Sequence, residues 1–450
     1  MEKLPIMSIS GIRGKVDETI DDLFVSRIAY IQTHLTDGRK VVIGRDTRNT
    51  GERLMRAACR GIRAAGAEPI DIGIAPTPTT CVAVSALEAD AGIIITASHN
   101  PLPYNGYKMV HGSGRLYRDT ECEEVYALFH QKKYPDDSEL MKYNDEPSQN
   151  VDASPIHIER ILSKVDTELI RSKNIRIAVD SINGAAGAVF PLLLEKLSVQ
   201  WTGVHNKLDG DFVHNPEPRP EHLTDLSDLL EGSKESWGGF VFDPDADRLA
   251  TMGENGEDIS EEMTLVFALQ NLLSKGKSDI ATNLSTSMLV DDVASRNGVN
   301  VFRTKIGEAN VVEGMQQKNC AVGGEGNGGV IYPEISTVRD GITAMALIIE
   351  LMAKTDKKLT QLASEWPSYY IVKEKIPCEG IDPSQVINHL IKNFQVEKRD
   401  LTDGLKIIRD YGWVHLRPSN TEPIIRCYAE AKSQKLARQL ADMVLNKARQ

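Results

Sequence analysis

Short β-branched runs that hand over again and again to amphipathic helical stretches constrain this chain most, because that alternation builds βαβ units and a parallel or mixed sheet. Val41-Val42-Ile43-Gly44 precedes a helix near Gly51 to Gly66, and Glu68 to Ile72 leads into another over Thr79 to Leu87. A polar stretch containing Pro and Asp, Tyr134 to Pro155, interrupts the pattern and reads as an interdomain connection. The pattern restarts at Ile175-Arg176-Ile177-Ala178-Val179-Asp180. It restarts again after Gly253-Glu254-Asn255-Gly256, where Asn-Gly marks a hairpin turn before a helix near Glu261. From about Ser368 the segments read as strands, Tyr369 to Lys375 and Ile424 to Ala429, closed by a helix from Ser433. The expected architecture is α/β: three similar mixed-sheet domains, residues 1–150, 151–255 and 256–367, and a smaller C-terminal α+β domain, 368–450.

Length agrees with that division, since 450 residues with 41% hydrophobic content can bury about three or four cores. The net charge of -12 excludes an extended basic face for nucleic acid or an anionic membrane, so any phosphate site must be a local Arg/Lys cluster. Six scattered cysteines without a CxxC pair suit a reducing compartment and buried apolar roles rather than a disulfide framework. Met1-Glu2-Lys3-Leu4-Pro5 lacks a signal pattern, and no uninterrupted apolar stretch approaches about 18 residues. A soluble cytoplasmic protein, monomer or homodimer, is expected.

Four loops carry the chemistry. In Gly92-Ile93-Ile94-Ile95-Thr96-Ala97-Ser98-His99-Asn100-Pro101 an apolar strand runs into a small loop that presents a hydroxyl beside an imidazole. Ser98 therefore sits at the carboxyl end of a strand, where α/β folds place ligands, and is the candidate phosphoryl carrier. Lys108, expected at the end of the next short strand, is a candidate acid/base or phosphate contact. Asp243-Pro244-Asp245-Ala246-Asp247-Arg248 places three carboxylates at alternate positions after Gly239-Phe240-Val241-Phe242. Hard oxygen donors at that spacing suit Mg²⁺ and leave a position for an oxygen from Ser98, while Arg248 adds a planar fork for a phosphoryl group. Gly323-Gly324-Glu325-Gly326-Asn327-Gly328-Gly329 lets a ligand approach the backbone while Glu325 and Asn327 offer hydrogen bonds. Arg417-Pro418-Ser419-Asn420-Thr421 has the inventory of a phosphate nest. Arg13 in Ser10-Gly11-Ile12-Arg13-Gly14, and Arg45 and Arg48 in Gly44-Arg45-Asp46-Thr47-Arg48, either add cations to the same site or form surface ion pairs.

In this order and spacing the four loops resemble the α-D-phosphohexomutase family, and the resemblance spans essentially the whole chain. It implies four domains around a central cleft, with Ser98 as a phosphoserine, Mg²⁺ on Asp243, Asp245 and Asp247, and Glu325 and Asn327 facing the sugar. Arg417, Ser419, Asn420 and Thr421 would grip the phosphate that is not transferred. Thr304-Lys305-Ile306-Gly307-Glu308 resembles a further substrate-contacting loop, bringing in Lys305 and Gly307. The implied reaction interconverts a hexose 1-phosphate and a hexose 6-phosphate through a hexose 1,6-bisphosphate. Lys108 is then the first expectation for the base and His99 the second, unless His99 only supports the loop. Many members have Ser and His where this chain has Asn327 and Gly329, which removes an imidazole from the sugar loop. Arg-Pro-Ser-Asn-Thr-Glu-Pro and Ser-Gly-Ile-Arg-Gly lean toward glucosamine phosphate as substrate, with glucose and mannose phosphates as alternatives. A metal-dependent sugar phosphatase and a non-catalytic sugar-phosphate sensor are the competing classes.

Overall fold

The structure, a computed structural model, describes residues 4–8, 10–217, 222–233, 235–378, 382–393, 398–419 and 424–448. The chain divides into two compact units, Met1–Leu272 with Asn327–Ala363, and Leu273–Gly326 with Ser364–Gln450.

The first unit holds two sheets. The larger has seven strands in the order Ile6–Ser8, Gly11–Lys15, Tyr104–His111, Ala91–Ile95, Lys40–Arg45, Glu68–Ile74 and Gln149–Asn150. Lys40–Arg45 runs parallel to both of its neighbours, and Tyr104–His111 runs antiparallel to Ala91–Ile95. Both faces of the central strands are covered, as a parallel arrangement demands. The two-residue period of a strand sends Val41, Ile43, Ile93 and Ile95 into one core with Phe24, Ile28 and Leu54. It sends Val42 and Ile94 into another with Cys81, Val84 and Val110. The second sheet has the order Asp258–Ile259, Leu249–Met252, Gly239–Phe242, Arg176–Asp180, Gln200–Val204.

The stretch read as an interdomain connection is tied to the first sheet along its way. Within Tyr134 to Pro155, Asp137–Leu140 is a short helix and Gln149–Asn150 pairs parallel with Ile70 and Asp71. Arg27 grips Asp137 through both carboxylate oxygens at 2.7 and 2.8 Å, which anchors the segment. Lys108 also departs from expectation, lying inside an eight-residue strand opposite Ile94 rather than at a strand end.

In the second unit Ile280–Asn283 lies parallel between Val301–Thr304 and Val322–Glu325. A separate antiparallel sheet follows the order Tyr370–Pro377, Ile424–Ala431, Gly412–Pro418, Leu405–Arg409, Arg399–Asp400. Helix Gln434–Ala448 packs Leu440, Ala441 and Val444 into a core with Ile407, Leu416 and Ile425. All six cysteines are buried. Among the described residues no helix is long and apolar enough to cross a membrane.

Helices Asp22–Leu35 and Gly51–Ala64 touch where Gly61 has no side chain. A Cβ there would sit 2.1 Å from the Ser26 carbonyl oxygen and 2.8 Å from the Tyr30 nitrogen. Gly61→Leu should therefore destabilise the protein by about 1–3 kcal/mol through overpacking, although leucine is the better helix former by up to about 1 kcal/mol. A thermal midpoint equal to or above that of the parent chain would contradict this packing.

Candidate active site

Strand Ala91–Ile95 is buried along its whole length and delivers the chain into the Ser98 loop. Ser98 is buried and left-handed, with φ of 49°, a conformation that costs a non-glycine residue on the order of 1–3 kcal/mol. The buried Arg48 guanidinium holds it there. It donates to the Ser98 carbonyl at 2.7 Å, Asn100 at 2.6 Å, Pro101 at 3.0 Å and Tyr104 at 2.9 Å. Its Nε donates at 3.0 Å to Asp46, whose carboxylate also accepts from Thr96 Oγ1 at 2.6 Å, and that hydroxyl accepts from the Ser98 N–H at 2.9 Å. Arg48 is thus neither a surface ion pair nor a free cation, the two readings open to the sequence.

The carboxylates lie on a turn between strands Gly239–Phe242 and Leu249–Met252, made possible by Ala246 at φ of 53°. Asp243, Asp245 and Asp247 are each 0% exposed. Their oxygens lie within 4.8 Å of one another, a spacing able to hold a metal ion. Cations meet them from three segments. Lys108 Nζ is 2.6 Å from Asp245 and 3.2 Å from Asp247, Arg248 Nε is 3.1 Å from Asp243, and Arg339 reaches Asp247 at 2.6 Å. Thr77 Oγ1 donates to Asp245 at 2.6 Å. Asp245 Oδ1 and Asp247 Oδ1 are nevertheless buried without a hydrogen bond. Arg248 Nε stands 3.6 Å from Asp247 Oδ1; buried carboxylate oxygens without a hydrogen bond leave a place for a water or an ion, and the donor set fits a hard divalent cation.

Electrostatics separate these groups. Burial and then the Asp247 charge push Asp243 upward. Burial alone would raise Asp247 too, but Arg339, Lys108 and Arg248 hold it well below the usual carboxylate range. Burial alone would lower Lys108, yet Asp245 and Asp247 outweigh it and raise the ammonium further. Lys108 is therefore held charged, which argues against the expected role as a base. The Arg248 guanidinium, then burial and Arg13, push His99 down to about 2. Its Nδ1 accepts from Arg248 Nη2 at 2.6 Å, so the ring is neutral with Nδ1 acting as acceptor. Ser98 Oγ lies 3.4 Å from both His99 Nδ1 and Asp243 Oδ2, and Arg13 donates to Asn100 Oδ1 at 3.0 Å.

Asn327 belongs to the same unit and keeps a buried Oδ1 without a partner. The next residue, Gly328, has φ of 84°, and its carbonyl accepts from the Leu249 N–H at 3.0 Å. A Cβ on Gly329 would fall 2.3 Å from Arg339 Cδ. The place left by the missing imidazole is thus crossed by the Arg339 stem on its way to Asp247. The sequence reading missed Arg339. The only available signal was Arg339-Asp340-Gly341, where Asp340 caps helix Gly341–Thr355 by accepting from the Thr343 N–H.

The second unit gathers the remaining candidates. Glu325 ends strand Val322–Glu325 and accepts from Asn283 Nδ2 at 2.8 Å and from the Gly307 N–H at 3.3 Å. Gly307, at φ of 121°, precedes helix Glu308–Lys318, and Lys305 beside it is exposed. Arg417 is half-buried at the end of Gly412–Pro418, and the Ser419 N–H donates to the Ile424 carbonyl. Asn420 and Thr421 lie outside the described residues.

Models of Phosphoglucomutase/phosphomannomutase domains match in sequence order: alpha/beta/alpha domain I over residues 6–136, domain II over 155–256, domain III over 260–369 and the C-terminal domain over 375–447. The chain is 38% identical over 447 residues to a protein named phosphoglucomutase/phosphomannomutase from Thermococcus kodakarensis, covering 96% of each. It is 33% identical over 442 residues to a probable phosphoglucosamine mutase from Methanopyrus kandleri, covering 96% of this chain and 95% of that one. A crystal structure of a phosphoglucomutase/phosphomannomutase family protein from Burkholderia thailandensis superposes with a TM-score of 0.86 at 24% identity, covering 99% and 97%, and so shares the fold.

Two outcomes follow from the geometry. Arg48→Met leaves Asp46 buried without its cation, so it should cost about 3–5 kcal/mol and accelerate amide exchange first at residues 98–104. Gly329→His should displace Arg339 from Asp247, remove a positive charge that competes for that carboxylate, and so tighten Mg²⁺ binding; calorimetry showing parent-like affinity would refute that steric account.

Proposed function

The chain belongs to the phosphoglucomutase/phosphomannomutase family and is an isomerase of the phosphohexomutase class, and from that premise we propose that it interconverts glucosamine 6-phosphate and glucosamine 1-phosphate. Ser98 carries the phosphoryl group and a bisphosphorylated sugar is the intermediate. One observation carries the reading: a buried hydroxyl 3.4 Å from Asp243, beside three fully buried carboxylates, two of which keep an oxygen without a hydrogen bond. Relatives named probable phosphoglucosamine mutase support the sugar. The second reading, glucose and mannose phosphates, draws on the name of the 38% identical relative.

Charge bookkeeping favours a phosphoserine. Once a cation has displaced the proton that the raised Asp243 carboxyl holds, Asp243, Asp245 and Asp247 carry three negative charges, and the three cations in ion pairs with them, Lys108, Arg248 and Arg339, carry three positive ones. A divalent cation on the triad adds two positive charges, and a phosphoryl group on Ser98 brings about -1.5 to -2, restoring balance. Mg²⁺ held by Asp243, Asp245 and Asp247 would supply neutralisation of the phosphoryl oxygens. The chain's residues do the rest. Arg48 fixes the backbone of the donor serine, and Arg248 is aimed beside its hydroxyl by Asp243 and His99. Lys108, held as ammonium, and Arg13 supply charge where phosphoryl oxygens accumulate it, which is what a loose phosphoryl-transfer transition state asks of a protein. When the sugar hydroxyl attacks, its bond to phosphorus forms as the Ser98 Oγ–P bond breaks, and the hydroxyl's proton ends on the freed Ser98 Oγ, so that atoms and charge balance. The return transfer reverses those two bonds at the other sugar position. Lys305, Gly307, Glu325 and Asn327 are proposed to hold sugar hydroxyls, and Arg417, Ser419, Asn420 and Thr421 the phosphate that stays.

Incubation with Mg²⁺, a trace of glucose 1,6-bisphosphate and each hexose phosphate, followed by ³¹P NMR, tests this directly. Phosphate should move between the 1- and 6-positions, fastest on glucosamine, and Ser98→Ala should reduce the rate on the order of 10⁴-fold or more. Release of inorganic phosphate without interconversion would move the assignment to a phosphatase. The raised Asp243 carboxyl also fixes a pH response. A carboxyl raised on folding binds more protons in the native than in the unfolded state, so its contribution falls as pH rises above the ordinary carboxylate range. Metal-free protein should lose thermal stability as pH climbs there, Mg²⁺ should restore it with proton release, and Asp243→Asn should flatten the dependence. Mg²⁺ binding heats that do not vary with buffer ionisation enthalpy would contradict the proton release.

A further inference from the structure

Apart from the triad, the metal-competent group that stands out among the described residues is Asp180, His205 and His214, each with a ligand atom within 4.8 Å of the others. Asp180 ends strand Arg176–Asp180 and is 0% exposed. His205 follows strand Gln200–Val204 in a left-handed conformation, with φ of 50°, and His214 lies in the loop beyond. Asp180 Oδ2 is 3.1 Å from His205 Nδ1 and 3.2 Å from His214 Nε2, while its Oδ1 accepts from the Ile182 N–H at 2.8 Å. Those separations approach the ~3.3 Å between ligands of a tetrahedral ion with bonds of about 2.0–2.1 Å.

The outward-facing nitrogens carry the argument. His205 Nε2 lies 3.0 Å from Asp225 Oδ2, and His214 Nδ1 lies 2.9 Å from the Asn215 carbonyl oxygen. Neither oxygen can donate, so both outer nitrogens hold the proton. A neutral imidazole then turns its lone pair inward, and two such lone pairs face one carboxylate oxygen, the three atoms lying within 4.8 Å of one another. Ligating histidines show the same outer arrangement, with the far N–H donated to a carboxylate or a backbone carbonyl. Protons alone would have to make both rings imidazolium, with centroids 5.5 Å apart.

We propose that Asp180, His205 and His214 bind a Zn²⁺-class cation, with Asp225 and the Asn215 carbonyl orienting the two rings and water completing the tetrahedron. Two imidazoles with one carboxylate select a borderline-soft ion over Mg²⁺, which favours an all-oxygen shell like the triad. The histidine side chains are 16% and 12% exposed, which leaves an entry path. The ion would stiffen the loop after Asp180, whose Ala185 N–H donates to the Pro244 carbonyl at 2.8 Å, and so brace the triad's turn from behind.

Co²⁺ titrated into the full chain under saturating Mg²⁺ reads the site through visible absorption, because tetrahedral nitrogen-bearing Co²⁺ absorbs far more strongly than octahedral Co²⁺ on oxygens. One equivalent should produce that band, Zn²⁺ should abolish it by competition, and His205→Gln and His214→Gln should each remove it. No band in the parent chain, or a band surviving both substitutions, overturns the proposal. Should a histidine variant fail to fold, Asp225→Ala at an exposed position should still weaken Zn²⁺ about 10- to 100-fold. Parent-like affinity there would equally overturn the proposal, leaving only a pair of titrating histidines.

Discussion

Three carboxylates buried without exposure in one five-residue turn form the constraint from which the rest of the Ser98 cluster can be derived. Each ion removed from water costs several kcal/mol unless a partner in good geometry meets it. Those partners come from three separate stretches of the chain: Lys108 from a central strand, Arg248 from the residue after the triad, and Arg339 from the loop before helix Gly341–Thr355. Thr77 adds a fourth, at the start of helix Thr77–Ala86. The turn cannot be well formed until these stretches are docked, so local charge has become a reason for long-range order.

The same constraint explains the bare backbone at Gly329. A Cβ there would fall 2.3 Å from Arg339 Cδ, so a glycine leaves Arg339 the volume it needs to reach Asp247. The space over that residue is filled by a permanent cation, and the balance of charge around the triad depends on it.

What the sequence revealed and what it hid divide along a physical line. The alternation of Val41, Val42 and Ile43 is a local pattern, and the strand buried on both faces follows from it. Ser98 after Ile93-Ile94-Ile95, and the three aspartates after Gly239–Phe242, were legible because ligand loops sit at strand ends. Roles set by partners distant in the chain were not. Arg48 could be read as a cation of the site or as a surface ion pair, and neither reading held its four carbonyl acceptors; Lys108 could be read as an acid/base or a phosphate contact, and neither reading held the two aspartates beside its ammonium. Tyr134 to Pro155 runs between the stretches that match domains I and II, but its polar composition carries no trace of the pairing of Gln149 and Asn150 with Ile70 and Asp71.

The fan of hydrogen bonds from Arg48 has a consequence for how the loop keeps its shape. A non-glycine residue at positive φ gains by slipping back to an ordinary backbone basin whenever its neighbours loosen. With the Ser98 carbonyl and those of Asn100, Pro101 and Tyr104 pinned to a single planar cation, the strained backbone has nowhere to relax. The shape of the loop is thus remembered by a side chain fifty residues earlier in the chain and not by the loop's own sequence.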